Sequence, residues 1–176
     1  MEKSQLSLIR PSKKYEKDFR SMIAEFRALG EMNIESIFET AGCEMDEYIK
    51  RIRAAERGQS LAENFVPFTT FWTVLDQRRI VGISHLRHRL TPDLEIEGGH
   101  IGYSIRPSER RKGYGTLQLS MILEECRQMG LSRVMITCDS DNIGSYKIIE
   151  ANGGILTGNA ISPKSSKKVN HYWITL

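Results

Sequence analysis

The segment Arg106-Pro107-Ser108-Glu109-Arg110-Arg111-Lys112-Gly113-Tyr114-Gly115-Thr116 concentrates the residue types that hold an anion. An apolar, strand-like run ends there, three adjacent cations follow, and two glycines open a helical pattern. Glycines at such a point let the backbone approach a ligand closely. The free N–H groups of the helix's first turn then face that ligand, and the helix dipole favours negative charge. Arg110, Arg111 and Lys112 add full charges at the same place, so a pyrophosphate is the guest this loop suits. A glycine-x-glycine pair alone is weak evidence, and a basic solvated turn is the plain alternative. The strand–loop–helix setting favours the anion site. It is not a Walker loop, because the glycine-lysine-serine/threonine pattern is absent. Gln118 stands where a dinucleotide fingerprint has its third glycine.

Other reactive side chains form no comparable set. His85 and His88 are three apart in a strand-like run, so they point to opposite faces and do not share a metal. No cysteine or carboxylate completes a zinc site, and no metal is expected. Cys126 and Cys138 fall at core positions, while Cys43 precedes a helix with no base placed beside it. Trp72 and Trp173 lie in strand-like runs as packing residues.

The elements that must position the loop follow from periodicity. Leu6 to Arg10 reads as an opening strand stopped by Pro11. Tyr15, Phe19, Met22, Ile23, Phe26 and Leu29 recur at helical spacing before Gly30, and Met45, Tyr48, Ile49 and Ile52 mark a second helix ending near Gly58. Residues 31–43 have mixed character and carry no assignment. Thr69–Leu75 and Ile80–Leu90 form a hairpin across a four-residue polar loop, and 91–99 is a polar connection. His100–Ile105 is the strand that enters the basic loop. A helix follows over Gly113–Met129, then a strand at Val134–Cys138 and a helix at Ile143–Ala151. Strands at Ile155–Ala160 and His171–Thr175 close the chain, separated by a solvated loop from Ser162 to Lys168. The strand–helix–strand passage from 100 to 138 calls for a crossover and a parallel pair. The fold class expected is α/β: a mixed, mostly antiparallel sheet flanked by helices, with one parallel strand pair.

Composition narrows the function classes. The chain has 176 residues, 40% of them hydrophobic and 27% charged, which places it among globular proteins. Twenty-five basic and 22 acidic residues leave a net charge of only +3, which argues against a general nucleic-acid binder. No apolar run approaches the ~20 residues needed to span a bilayer, so no membrane partner is expected. The first ten residues do not read as a signal peptide, and three scattered cysteines suit a reducing compartment. A cytoplasmic protein is the expectation, with a homodimer as the default oligomer.

Arg110-x-x-Gly113-x-Gly115 resembles the arginine/glutamine-x-x-glycine-x-glycine/alanine loop of the GNAT superfamily of acyl-CoA N-acyltransferases. His100-Ile101-Gly102-Tyr103-Ser104-Ile105-Arg106-Pro107 resembles the strand running into that loop. The stretch from Asp141 to Gly154 is similar to the family's second cofactor-facing helix. The resemblance is dense over 80–160 and implies a single GNAT-type domain over 1–176, with 1–68 mainly on the acceptor side and 98–154 on the cofactor side. It implies acetyl-CoA as cosubstrate and a small-molecule or peptide amine as acceptor. Tyr103, Ser104 and Ile105 would pair through their backbone with the pantetheine arm. Arg110, Arg111, Lys112, Gly113, Tyr114, Gly115 and Thr116 would cradle the pyrophosphate. Asn142 and Ser145 would meet the pantetheine from the second helix, although Asn142 is equally suited to be a plain helix cap.

The implied reaction is attack of a neutral amine on the thioester carbonyl, with a base to take the amine's proton and a backbone N–H beside Ile105 for the oxyanion. Glu97 is the first candidate base and Glu95 the second; His100 titrates in a suitable range but reads as structural. Many family members use a tyrosine near the end of the second helix as acid, and Ile149 occupies that position here. Tyr146, three residues earlier, is the acid candidate that remains, with Ser145 weaker. A thiolate can also leave without a dedicated acid. Two other readings stand beside the enzyme: a non-catalytic acyl-CoA-binding module, and a protein that binds another nucleotide in the same loop. Acids (Glu31, Glu35, Glu39, Glu63, Glu95, Glu97) and aromatics (Phe38, Phe65) on the acceptor side suggest a cationic amine as acceptor.

Overall fold

The apolar spacing of the first helix places Phe19, Met22, Ile23 and Phe26 on one side of α1 (Glu16–Ala28), and all four are buried. The same rule in α2 (Met45–Glu56) buries Met45, Tyr48, Ile49 and Ile52. Both helices open with acids and carry an arginine in the last turn, which complements the helix dipole. The computed structural model describes residues 5–31 and 44–176. Most of the stretch left unassigned from sequence, together with Glu35, Phe38, Glu39 and Cys43, lies outside the described residues.

Two sheets receive these helices. Strands β1 (Leu6–Ile9), β2 (Phe68–Leu75), β3 (Arg79–Arg87) and β4 (Ile101–Ile105) form an antiparallel sheet in that order. Strands β5 (Arg133–Asp139), β6 (Ile155–Ile161) and β7 (Lys168–Thr175) form a second, in the order β5-β7-β6. One face of the first sheet packs on α1 and α2 through Trp72, Val74, Ile80 and Ile83. The stack of Phe19 on Trp72, with centroids 4.7 Å apart, lies in this layer. The opposite face carries Phe71, Leu86 and Ile101 and meets α4 (Tyr114–Gln128), α5 (Ile143–Ala151) and the second sheet. The result is an α/β domain of antiparallel sheets flanked by helices.

Three expectations need revision. Among the described residues every ladder is antiparallel, so the parallel strand pair does not form as a ladder. Instead β4 and β5 belong to different sheets and are joined just before β4, where the His100 N–H donates to the Met135 carbonyl at 2.7 Å. The Met135 N–H donates back to His100 Nδ1 at 2.9 Å. Second, the polar connection 91–99 contains a short helix, α3 (Pro92–Ile96). Thr91 caps it by accepting from the Leu94 N–H, and Pro92 sits at a position where a missing N–H costs nothing. Third, Ser162 is not solvated: it is buried at the end of β6, and its hydroxyl accepts from the Lys164 and Ser165 amides.

Phe19→Ala should destabilise the domain by about 3–5 kcal/mol, the usual cost of removing a buried aromatic. Urea unfolding of the two proteins measures the difference. A loss under 1 kcal/mol would mean that the α1 layer does not carry the core.

Candidate functional site

The open edge of β4 is where the site begins. Arg87 N–H donates to the His100 carbonyl and Arg106 N–H to the Val81 carbonyl, which fixes the hydrogen-bonding parity of the β3–β4 ladder. On that parity Gly102 and Ser104 spend their amides on β3. The amides of Tyr103 and Ile105 therefore point away, toward the edge that no strand covers among the described residues. Ser104 is thus separated from its two neighbours in role, although all three were grouped by sequence. Arg110 Nε donates to the Ile105 carbonyl at 3.1 Å and uses up that acceptor.

The basic loop follows immediately. Gly113 is the N-cap of α4, at φ +83°, in the left-handed region that favours glycine. A side chain there would meet no atom within 4 Å, so Gly113 faces open space. It offers no side-chain cap, and the first amides of α4 are left for a ligand or solvent. Gly115 is needed for a different reason: a Cβ would come 2.4 Å from Ile148 Cδ1, so its absence lets α4 and α5 close up. Gln118 is buried and its side-chain amide donates to the Ile83 carbonyl at 2.8 Å, tying α4 to β3.

The three cations do not behave alike. Arg110 forms a two-point ion pair with Glu31, and this partner holds the Glu31 carboxyl below the usual carboxylate range. Lys112 donates to Glu109 at 2.8 Å, and Arg79 engages the other oxygen of the same carboxylate. Burial pushes the Glu109 carboxyl up, but Lys112 and Arg79 outweigh it and leave it low. Among the described residues Arg111, exposed at φ +63°, makes no ion pair. Behind the loop, Arg106 is 1% exposed and donates to Asp18 at 2.9 Å, Glu25 at 2.7 Å and Ser21 at 2.9 Å. Glu25 in turn accepts from the Ser108 amide, so α1 clamps the loop from below.

The far wall is α5. Asn142 is its N-cap and accepts from the Ser145 N–H at 3.0 Å, so the capping role is realised. The Tyr103 hydroxyl crosses from β4 to Ser145, 3.0 Å from Oγ and 3.2 Å from the carbonyl oxygen, to which it donates. Burial pushes this phenol well above its ordinary range, so it stays protonated. Tyr146 packs at the margin of the core cluster that contains Tyr172 and Cys138. Ile149 is fully buried in that cluster.

The expected base candidates are spoken for or exposed. The Glu97 carboxylate accepts from Ser162 Oγ at 2.7 Å, which ties the end of α3 to the β6–β7 turn. Glu95 is exposed. His100 holds the two sheets together through its ring nitrogen, and burial with the nearby Arg87 charge lowers its pKa. His85 and His88 bond to Thr70 and Thr69, successive residues of β2 on opposite faces. His85 is pushed down to about 4 by burial and by Arg87. Sequence reasoning missed the Tyr103–Ser145 bridge, the Arg106 cluster and Arg87. The partners of Arg106 lie 81 and 88 residues away, so no local pattern could reveal them. The His100–Met135 splice was equally invisible, although a histidine opening an edge strand was a hint.

A family model described as an acetyltransferase (GNAT) domain matches residues 9–155. No curated relative matches the sequence. Among solved structures, an acetyltransferase of Salmonella typhimurium that modifies the N-terminal serine of a 50S ribosomal subunit protein superposes with a TM-score of 0.66 at 16% identity. The match covers 97% of this chain and 95% of that one. The microcin C7 self-immunity acetyltransferase, in complex with acetyl-CoA and AMP, gives 0.66 at 16% identity over 98% and 93%. Mycobacterium smegmatis RimJ, in complex with CoA-disulfide, gives 0.69 at 16% identity over 97% and 81%. At such identities the likeness is one of fold.

The histidine environment sets a pH dependence. His85 is neutral in the fold down to about 4, whereas unfolded chain takes the proton near 6.5. Unfolded protein therefore binds more protons between these values, and stability falls as pH drops through that window. Melting temperature should decline from pH 7 to pH 5, and His85→Gln should flatten the decline. An unchanged slope in the variant would show that His85 is not the responsible group.

Proposed function

The chain belongs to the GNAT acetyltransferase family, and from that premise we propose that it transfers an acetyl group from acetyl-CoA to a primary amine. The observation that carries this reading is the continuity of two unpaired surfaces. The outward amides of Tyr103 and Ile105 lead directly to the uncapped first turn of α4. An extended arm carrying amides can pair with the strand edge, and a diphosphate can then sit on the helix amides. Arg111 and the amides of Lys112, Gly113, Tyr114, Gly115 and Thr116 are the groups assigned to the diphosphate. Arg110 acts at one remove, by fixing the Ile105 carbonyl and Glu31. Asn142 and Ser145 border the arm from α5, with the Asn142 side-chain amide still available after capping.

A pyrophosphate beyond the C-terminal end of β4 makes the arm run back along the strand, so the thioester lies beside Tyr103 rather than beyond Ile105. The Tyr103 amide is then the donor nearest the developing oxyanion. The amine attacks the thioester carbonyl and the C–S bond breaks in the collapse of the tetrahedral adduct. The departing sulfur takes its proton from the tyrosines at hand, Tyr146 in first place, or from solvent. Ile149 has no proton to give, and its burial leaves no room for a phenol there. Glu97 stays the proposed base, reached through water, and it must exchange its Ser162 contact to act. That contact is also what favours the second reading, an acyl-CoA-binding module without turnover. The cytoplasm is the proposed setting, on the cysteine usage.

Calorimetry and a thiol-release assay separate these readings. Wild type should bind coenzyme A and release thiol from acetyl-CoA only when an amine is present. Gly113→Val should abolish coenzyme A binding with the circular dichroism spectrum intact, because a branched side chain strains the left-handed position and occupies the ligand's space. Retained affinity in the folded variant would remove the loop from the account. Binding without amine-dependent thiol release would favour the module.

A further inference from the structure

Ile83, His85 and Arg87 alternate along β3 and share a face, and Ile83 places that face toward α1 and α2. Opposite them in β4, Ser104 pairs with Ile83 and Gly102 with His85, so both belong to the same face. On the acetyltransferase reading, this side of the β4 edge, which α1 and α2 cover, is the one assigned to the acceptor. Arg87 dominates it electrostatically. One guanidinium nitrogen donates to the Gly98 and Gly99 carbonyls, at 2.9 and 3.1 Å. The guanidinium is then poised over Gly102, where a side chain would have come 3.8 Å from both terminal nitrogens. Among the described residues no carboxylate pairs with Arg87, in contrast to Arg79, Arg106 and Arg110, each of which has one. Its neighbour His85 is fixed by Thr70 at 3.1 Å and by the edge of Phe68, and burial with the Arg87 charge keeps it neutral.

Among the described residues, the acids expected to attract a cationic acceptor do not offset this charge. Glu31 is consumed by Arg110 and Glu97 is held by Ser162, while Glu63 and Glu95 are exposed. A half-buried guanidinium with spare donors and, among the described residues, no counter-ion suits a carboxylate, because the fork matches two oxygens and little solvent competes. Gly102 adjoins Tyr103, whose amide is assigned to the thioester, and strand residues advance only ~3.3 Å each. A carboxylate on Arg87 thus places an amine a few bonds away at the reacting carbon.

We propose that Arg87 is the acceptor-recognition residue of this protein, and that the acceptor is an amine carrying a carboxylate close to its nitrogen. This rests on the acetyltransferase reading above. The same chemistry is offered by a free amino acid, through its α-carboxylate, and by a peptide N-terminus followed by Asp or Glu.

Matched acceptors test it: alanine against alaninamide, glutamate against glutamine amide, and N-terminal tetrapeptides with Asp against Asn at the second position, with rates compared per free amine. Wild type should favour the carboxylate member of one set by about tenfold to a hundredfold in kcat/KM, the scale of a desolvated charge-assisted pair. The free amino acids and the tetrapeptides identify the source. Arg87→Gln should bring that preference near one, Arg87→Lys should keep part of it, and coenzyme A affinity should not change in either. Equal rates within every wild-type pair, or a preference surviving in Arg87→Gln, would overturn the proposal. Should Arg87→Gln not fold, the wild-type pairs decide alone. Where wild type binds coenzyme A without turnover, the acetyltransferase reading fails but the anion site is still measurable. N-acetylalanine should then bind wild type better than its amide by NMR titration, and equal binding would refute the site.

Discussion

Two hydrogen bonds between His100 and Met135 set the geometry on which the rest depends. They splice a four-stranded and a three-stranded sheet at one point and, among the described residues, leave the outer edge of β4 without a partner strand beyond it. A continuous sheet would satisfy every amide internally and leave nothing for a ligand. A complete separation would give two unrelated edges. The splice holds one strand edge open while its first residue stays buried, and the imidazole can accept from the Met135 amide only while that nitrogen carries no proton. Burial and Arg87 both work in that direction.

Charge compensation decides which cations are free to act. Arg106, Arg79, Arg110 and Lys112 are all matched by carboxylates from α1, its C-terminal extension or the loop itself. They order the basic loop and fasten it to α1. Arg111 and Arg87, neither of which makes an ion pair among the described residues, lie at opposite ends of β4. One faces the proposed diphosphate and the other the proposed acceptor. Counting positive charges in the loop therefore overstates the charge left for an anion, because Arg110 and Lys112 are already paired.

Periodicity was sufficient to place the strands and the longer helices to within a few residues, because burial of Phe19, Leu119, Ile122 and their like is what made those elements form, whereas the short helix Pro92–Ile96 buries no residue and was missed. The basic glycine loop was legible too, because its glycines and cations are contiguous. What periodicity could not supply was pairing at a distance. The strand–helix–strand order suggested a parallel ladder, but only side-chain hydrogen bonding by His100 reveals that the sheets part there. Glu97 looked free because Ser162 is 65 residues away, and Arg87 looked like any basic strand end. The acid position was legible as a departure: Ile149 is apolar in the sequence and proves to be core.

Amide hydrogen exchange along β4 tests the central claim most directly. On addition of coenzyme A, the Tyr103 and Ile105 amides and those from Lys112 to Thr116 should slow, while Ser104, already bonded to β3, should not change. Equal behaviour of the three strand amides, or no protection at the start of α4, would contradict the account.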